Sequence, residues 1–183
     1  MLTRFAIEVT TITSRGEYSF ADTAYVVEYN EGYDRLRTDS IPRITWASEQ
    51  DAINYIEELP VARVGKFTKS HTYEVEAIDY THANHNGYSD TTPFEIVRVV
   101  SDKTIELKSM TAERAADWKP KIVAGGYAGH CTNNGNQSKA WVIKSDPEGY
   151  TVRARLQKDG SWKSSHGRHS LHTAAIKKYD YNF

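Results

Sequence analysis

Along residues 3–13, TRFAIEVTTIT, apolar Phe5, Ile7 and Val9 alternate with Ala6, Glu8 and Thr10. That period of two, carried by β-branched side chains, predicts a half-buried strand. SRGEYS supplies a turn, and residues 23–29, TAYVVEY, predict a second strand closed by NEG. The period then changes. Ser48 stands as N-cap, Glu49 and Asp51 put acids in the first turn, Ala52, Ile53, Tyr55, Ile56 and Leu59 share one side, and Pro60 stops the run. Residues 48–59 are therefore predicted to be helical.

Alternation returns at residues 70–80, SHTYEVEAIDY, with Tyr73, Val75 and Ala77 opposite Glu74 and Glu76. THANHNGYSD reads as a polar loop. PFEIVRVV and KTIELKSM flank SDK as a hairpin, with Ile105 and Leu107 inward and Glu106 and Lys108 outward. TAERAADW, with Thr111 as cap, has the composition of one or two helical turns. KAWVIKS turning at DPEG, YTVRARLQ turning at KDG, and SWK opening a further strand predict an antiparallel meander. SSHGRHSLH reads as polar and flexible, LHTAAIKKY as a short closing helix or strand, and the aromatics of YDYNF as a plug for a core or an interface.

The expected fold class is α+β, mainly antiparallel β-sheet, with one clear helix and one or two short helical segments. Residues 1–68 form a strand–strand–helix unit and residues 69–183 a β-rich part with a basic meander, as two units or one continuous domain.

Composition sets the bounds. At 183 residues and 39% hydrophobic, the chain can bury a core as one domain or two small ones. No apolar run long enough to span a membrane and no secretory h-region stand in it, so a soluble, cytoplasmic protein is expected. The single cysteine, Cys131, excludes an intramolecular disulfide and a multi-cysteine zinc site. Charge is divided: residues 119–183 carry eleven Lys and Arg against four acids, a net of +7, and residues 1–118 net −8. That asymmetry points to an anion-binding C-terminal part, or to self-association of acidic on basic surface, for which a homodimer is the simplest form. The plainer reading, that each charge solvates its own strand, stays open.

Two stretches carry candidate chemistry. In YTVRARLQ, alternation puts Arg153 and Arg155 on one face, roughly 6.6 Å apart, a spacing that suits an extended anion gripped by guanidinium forks. Trp141, Trp162, Tyr127 and Tyr179 offer stacking faces for a base. The loop GGYAGHCTNNGNQ supplies His130 and the amides of Asn133, Asn134 and Gln137, with donors and acceptors for a base edge or a ribose. It matches neither a dinucleotide nor a Walker pattern. The histidines leave phosphodiester cleavage open through His130 and His169, but only HSLHT loosely resembles the His-x-Ser/Thr pattern of two-histidine phosphoesterases. His82 and His85 lack a third ligand, so no metal or cofactor is expected.

YSDTTPFEIVRVVSDKTIEL, GGYAGHCTNN with Gln137 and Trp141, the RARLQKDGSWK segment and the terminal YDYNF together resemble small phage-encoded accessory proteins. Some of those resemble anti-Thoeris sponges for cyclic nucleotide signals. The resemblance covers roughly the last half of the chain and implies phage origin and action inside an infected cell. The expected function is then a non-enzymatic counter-defence inhibitor, sequestering a nucleotide signal or blocking a host nucleoprotein effector such as a CRISPR complex. In that reading Arg153 and Arg155 hold phosphates, Asn133 and Asn134 contact base or sugar, and Trp141 or Trp162 stacks. A nucleic-acid-binding regulatory module is the alternative, and a His-dependent phosphodiesterase or nuclease the second.

Overall fold

The computed structural model describes residues 1–15, 18–30, 35–40, 42–59, 68–125 and 129–182. Gly16, Glu17, Glu31, Gly32, Pro60, Tyr127 and Phe183, on which the first two turns, the helix stop, one stacking face and the end of the aromatic plug were placed, lie outside them. The structure is predominantly antiparallel β. Two compact units divide the chain: Thr3–Ile78, and Asp79–Phe183 with Met1–Leu2. The division falls later than the expected 68/69 because the strand that follows joins the first sheet.

In the first unit β1 (Leu2–Arg15) pairs with β2 (Tyr18–Asn30), β2 with β3 (Arg35–Asp39), and β4 (Thr68–Tyr80) lies on the other side of β1. One face of β1 behaves as expected, with Ile7 and Val9 fully buried with Val26 of β2 and Phe5 packed beside them; the other does not, since Leu2, Arg4 and Ala6 are buried as well and the first part of the strand is covered on both faces. The helix α1 (Glu49–Glu58) begins where the cap predicts, with the Ser48 hydroxyl accepting from the Asp51 N–H at 3.1 Å. Its Ala52 is buried in the same cluster, with Tyr55 and Ile56 around it. Across the sheet the Tyr25 hydroxyl donates to Glu76 at 2.8 Å. That hydrogen bond, with burial and the charges of Glu76 and Glu8 behind it, pushes the Tyr25 phenol up to about 12.

The second unit contains β5 (His82–Asn86), β7 (Phe94–Ser101), β8 (Thr104–Arg114), β12 (Thr151–Leu156), β13 (Trp162–Ser164) and β14 (Gly167–His172). Each pairs antiparallel with the next, and β14 returns to pair with β5. The result is a closed six-stranded barrel. Its interior holds Ala83, Phe94, Ile96, Ile105, Leu107, Ala154, Trp162 and His169, all buried. Short pieces decorate it: β6 (Thr91–Thr92) on β5, β11 (Trp141–Ser145) on the far half of β8, and β9 (Ile122–Val123) paired with β10 (His130–Cys131).

Several expectations are corrected here. THANHNGYSD is not a loop throughout: it forms β5 and leads into β6, its polar residues being outward or covered side chains of a barrel strand. TAERAADW forms no helix up to Arg114, because β8 continues through it to pair with β11. SSHGRHSLH is the β13–β14 hairpin, turned at Ser165–His166 and leaving the turn through Gly167, whose φ of 120° leaves no comfortable place for a side chain. A Cβ there would also stand 3.0 Å from His85 Nε2. Among the described residues α1 is the only helix, so LHTAAIKKY is extended after β14 and touches β6 through the Thr91–Lys178 bridge. DPEG does turn, with Gly149 N–H on Asp146 O. The strands on either side of it do not pair with each other, however; both run antiparallel to β8, β11 along Met110–Arg114 and β12 along Thr104–Lys108.

Trp162 fills the barrel and is 3% exposed. Trp162→Ala is expected to cost about 3–5 kcal/mol of unfolding free energy, read from the denaturant midpoint at unchanged slope.

Candidate functional site: a cation row on the barrel wall

Two tight turns in succession fix the register of β12, β13 and β14. The KDG turn is held by Asp159 Oδ1, which accepts from Ser161 N–H at 3.1 Å and from its hydroxyl at 2.6 Å. It places Arg155 opposite Lys163. The turn before Gly167 then places Lys163 opposite Arg168. Because Ala154, Trp162 and His169 point inward, all three cations point outward, and all three are exposed. They stand on adjacent strands about 4.8 Å apart, so the row spans about 10 Å.

Arg153, two residues from Arg155, shares this wall but is differently placed. Its Nη2 and Nε lie 2.9 and 3.0 Å from Glu106 Oε1, and Arg98 approaches the other oxygen at 3.8 Å. Arg168 has a 3.4 Å contact with exposed Asp159. Arg155 and Lys163 have no acidic partner among the described residues. Like charges opposed across strands are unfavourable by some tenths of a kcal/mol each, and apart from the exposed Arg168–Asp159 contact only solvent and salt relieve them here.

The other expected site residues lie elsewhere. Asn133 Oδ1 accepts from Lys121 N–H at 2.8 Å, while its amide donates to Lys119 O at 3.1 Å. Asn134 donates to Asp180 at 2.8 Å and accepts from Tyr181 N–H at 3.1 Å. Gln137, 6% exposed, donates to Tyr179 O and Asn134 O and accepts from Tyr179 N–H and Trp141 Nε1. Asn134 and Gln137 hold the C-terminal segment in place, while Asn133 ties its own loop to the backbone of Lys119 and Lys121, so all three amides are engaged within the fold. Trp162 is engaged likewise: buried in the barrel, it has no free face. His130 is exposed on β10, apart from the row. Trp141 is half-buried on β11, with Arg114 and Lys177 over its ring at 5.7 and 5.8 Å.

Lys163 and Arg168 entered the sequence reading only as charge. Their signal was the register of two hairpins, and the second was read as a flexible stretch.

Histidines form two directly opposed pairs between β5 and β14: His85 with His169, and His82 with His172. His169 is 3% exposed. Its Nδ1–H donates to Ala83 O at 3.0 Å, which leaves Nε2 to accept from the Ser164 hydroxyl at 2.8 Å. Burial pushes its pKa down, the nearby His85 and His166 push the same way, and the Ala83 carbonyl partly opposes them. Burial also lowers His82 and His172. Both nitrogens of His169 are thus occupied, and it shares no sheet with His130. Among the described residues no group of three or more His, Cys, Asp or Glu is arranged to hold a metal.

A histidine lowered on folding binds its proton more readily in the unfolded chain, so its contribution is present above the ordinary value of 6.5 and is lost as pH falls through the folded value. Unfolding free energy is therefore expected to drop between pH 7 and pH 5. In His169→Gln the slope of that dependence should flatten, whatever the variant's absolute stability; urea titrations across pH check it.

No protein-family model, no curated protein and no solved structure matches this chain.

Proposed function

We propose that this chain works by holding an anionic partner, and that the partner is the phosphate backbone of a nucleic acid. The observation that carries the reading is the row Arg155, Lys163 and Arg168, three outward cations in register on adjacent strands. Sheets place like charges side by side at a cost, and a polyanion turns that cost into attraction. One nucleic-acid strand carries a charge per about 3.4 Å of helix axis, so about 10 Å of row can meet up to three phosphates. Arginine and lysine contacts of this kind position a nucleic acid without reading its sequence.

The second unit, which carries the barrel, has fifteen Lys and Arg against eleven acids, a net of +4, and the first unit nets −5. The basic surface is thus part of the barrel's own unit. The resemblance to phage accessory proteins supplies the setting: a counter-defence inhibitor in the infected cell's cytoplasm, occupying the nucleic acid of a host nucleoprotein effector. Binding is favoured over turnover because His169 has both nitrogens engaged and Cys131 is buried. The sponge version that used Asn133 and Asn134 loses those contacts to the fold.

Fluorescence anisotropy with labelled single-stranded RNA, single-stranded DNA and duplex DNA tests the proposal. Binding should weaken with salt, with a log–log slope of about −2 to −3 for three phosphate contacts. Lys163→Glu should weaken all sequences alike and reduce the slope by about 1. Salt-independent binding, or binding untouched in an Arg155→Glu/Lys163→Glu variant, would overturn it.

A further inference from the structure

A groove of about 360 Å³ runs between β11 and the extended C-terminal segment, lined among others by Trp141, Ile143, Ile176, Lys177 and Lys178. We propose that it binds a flat aromatic ring bearing an anionic group, with the ring stacked on Trp141 and the anion held by Lys177 and Lys178. None of the cation row lines it, so this is a second and independent site.

The groove is large enough for a small molecule, for which about 300–1,000 Å³ is usual. Its aromatic wall is fixed before any ligand arrives. Trp141 Nε1 donates to Gln137 Oε1 at 3.2 Å, and Gln137 is itself buried and tied to Tyr179 and Asn134. An indole held in this way loses little freedom when a ring stacks on it. The indole face already attracts cations: Lys177 Nζ lies 5.8 Å from its centroid. A ligand ring can take the place of that ammonium while its anionic group pairs with the displaced Lys177, so the lysine exchanges a π contact for a charge-assisted hydrogen bond.

The rest of the lining agrees with this class. Ile143 and Ile176 give apolar contact to ring edges, and Ser138 adds a hydroxyl. Two lysines and no carboxylate line the groove, which disfavours cationic ligands and favours anions. Four of the lining residues belong to the run 175–178, which the amide network holds against the barrel. The site therefore exists only when the C-terminal segment is docked.

Calorimetry and tryptophan fluorescence with AMP, adenosine and salicylate test the proposal. Saturable binding of AMP, with adenosine at least tenfold weaker, supports it and identifies a nucleotide. Binding of salicylate without AMP supports it and identifies an aromatic carboxylate. Lys177→Ala/Lys178→Ala should weaken the binding ligand at least tenfold, and Trp141→Ala should abolish the fluorescence response. The lysine variant changes only surface side chains, so it keeps the test valid if the tryptophan variant fails to fold. Arg155→Glu/Lys163→Glu should leave this binding unchanged, which separates it from the nucleic-acid site. No binding of either anion, or equal binding of adenosine and AMP, would overturn it.

Discussion

Closure of the barrel through the β14–β5 ladder is the constraint on which the second unit depends. Four residue pairs, from His169 with His85 to His172 with His82, join the last strand to the first and leave the six-strand cycle without an open edge. An open sheet would present unpaired backbone groups at both ends. Closure also sets what faces inward. Small Ala83 and Ala154 leave room for Trp162, Phe94 and the imidazole of His169. A polar ring is tolerated in that core because each nitrogen has a partner, one of them a carbonyl of the very strand that closes the barrel.

That inward assignment dictates the outer wall. With Trp162 and His169 committed to the interior, Lys163 and Arg168 must project outward, and the register of two tight hairpins sets them beside Arg155. Moving any of the three strands by one residue would exchange cations for core side chains. The row is thus as firmly specified as the core. Glu106 covers Arg153 but leaves Arg155 and Lys163 facing solvent, so the wall grades from a neutralised corner to an open one.

The C-terminal segment is held differently. Little of it joins a ladder, so its backbone groups are satisfied by side chains: Asn84 and Gln137 take the N–H groups of Ile176 and Tyr179, while Asp90 and Asn134 take those of Asp180 and Tyr181. The amide-rich loop that looked suited to a ligand is suited to peptide backbone for the same reason, since an amide both donates and accepts. One consequence reaches the groove: Gln137 Oε1 is shared by the segment and the Trp141 indole, so docking the tail and orienting the ring are a single event.

Legibility in the sequence followed the same physics. Phe5, Ile7 and Val9, the Ser48 cap, and Ile105 and Leu107 were readable because an apolar inner face alternates with a polar outer one. THANHN and GRHSLH were not, because their inward positions include His85 and His169 as well as Ala83, and their outward ones are His82, Asn84, Asn86, Arg168, Ser170 and His172. With polar side chains on both faces no binary pattern exists, and only the ladder reveals the strand. DPEG misled for another reason: its local turn chemistry is real, but β8 offers partners to both flanking strands, and that long-range pairing outweighs the hairpin a turn alone would make. The Arg pair was visible at a period of two, whereas the row it belongs to exists only across strands. A charge pattern perpendicular to the chain is written in turn lengths rather than in composition, so the cation row exists only through the Ser165–His166 turn that sets Arg168 beside Lys163.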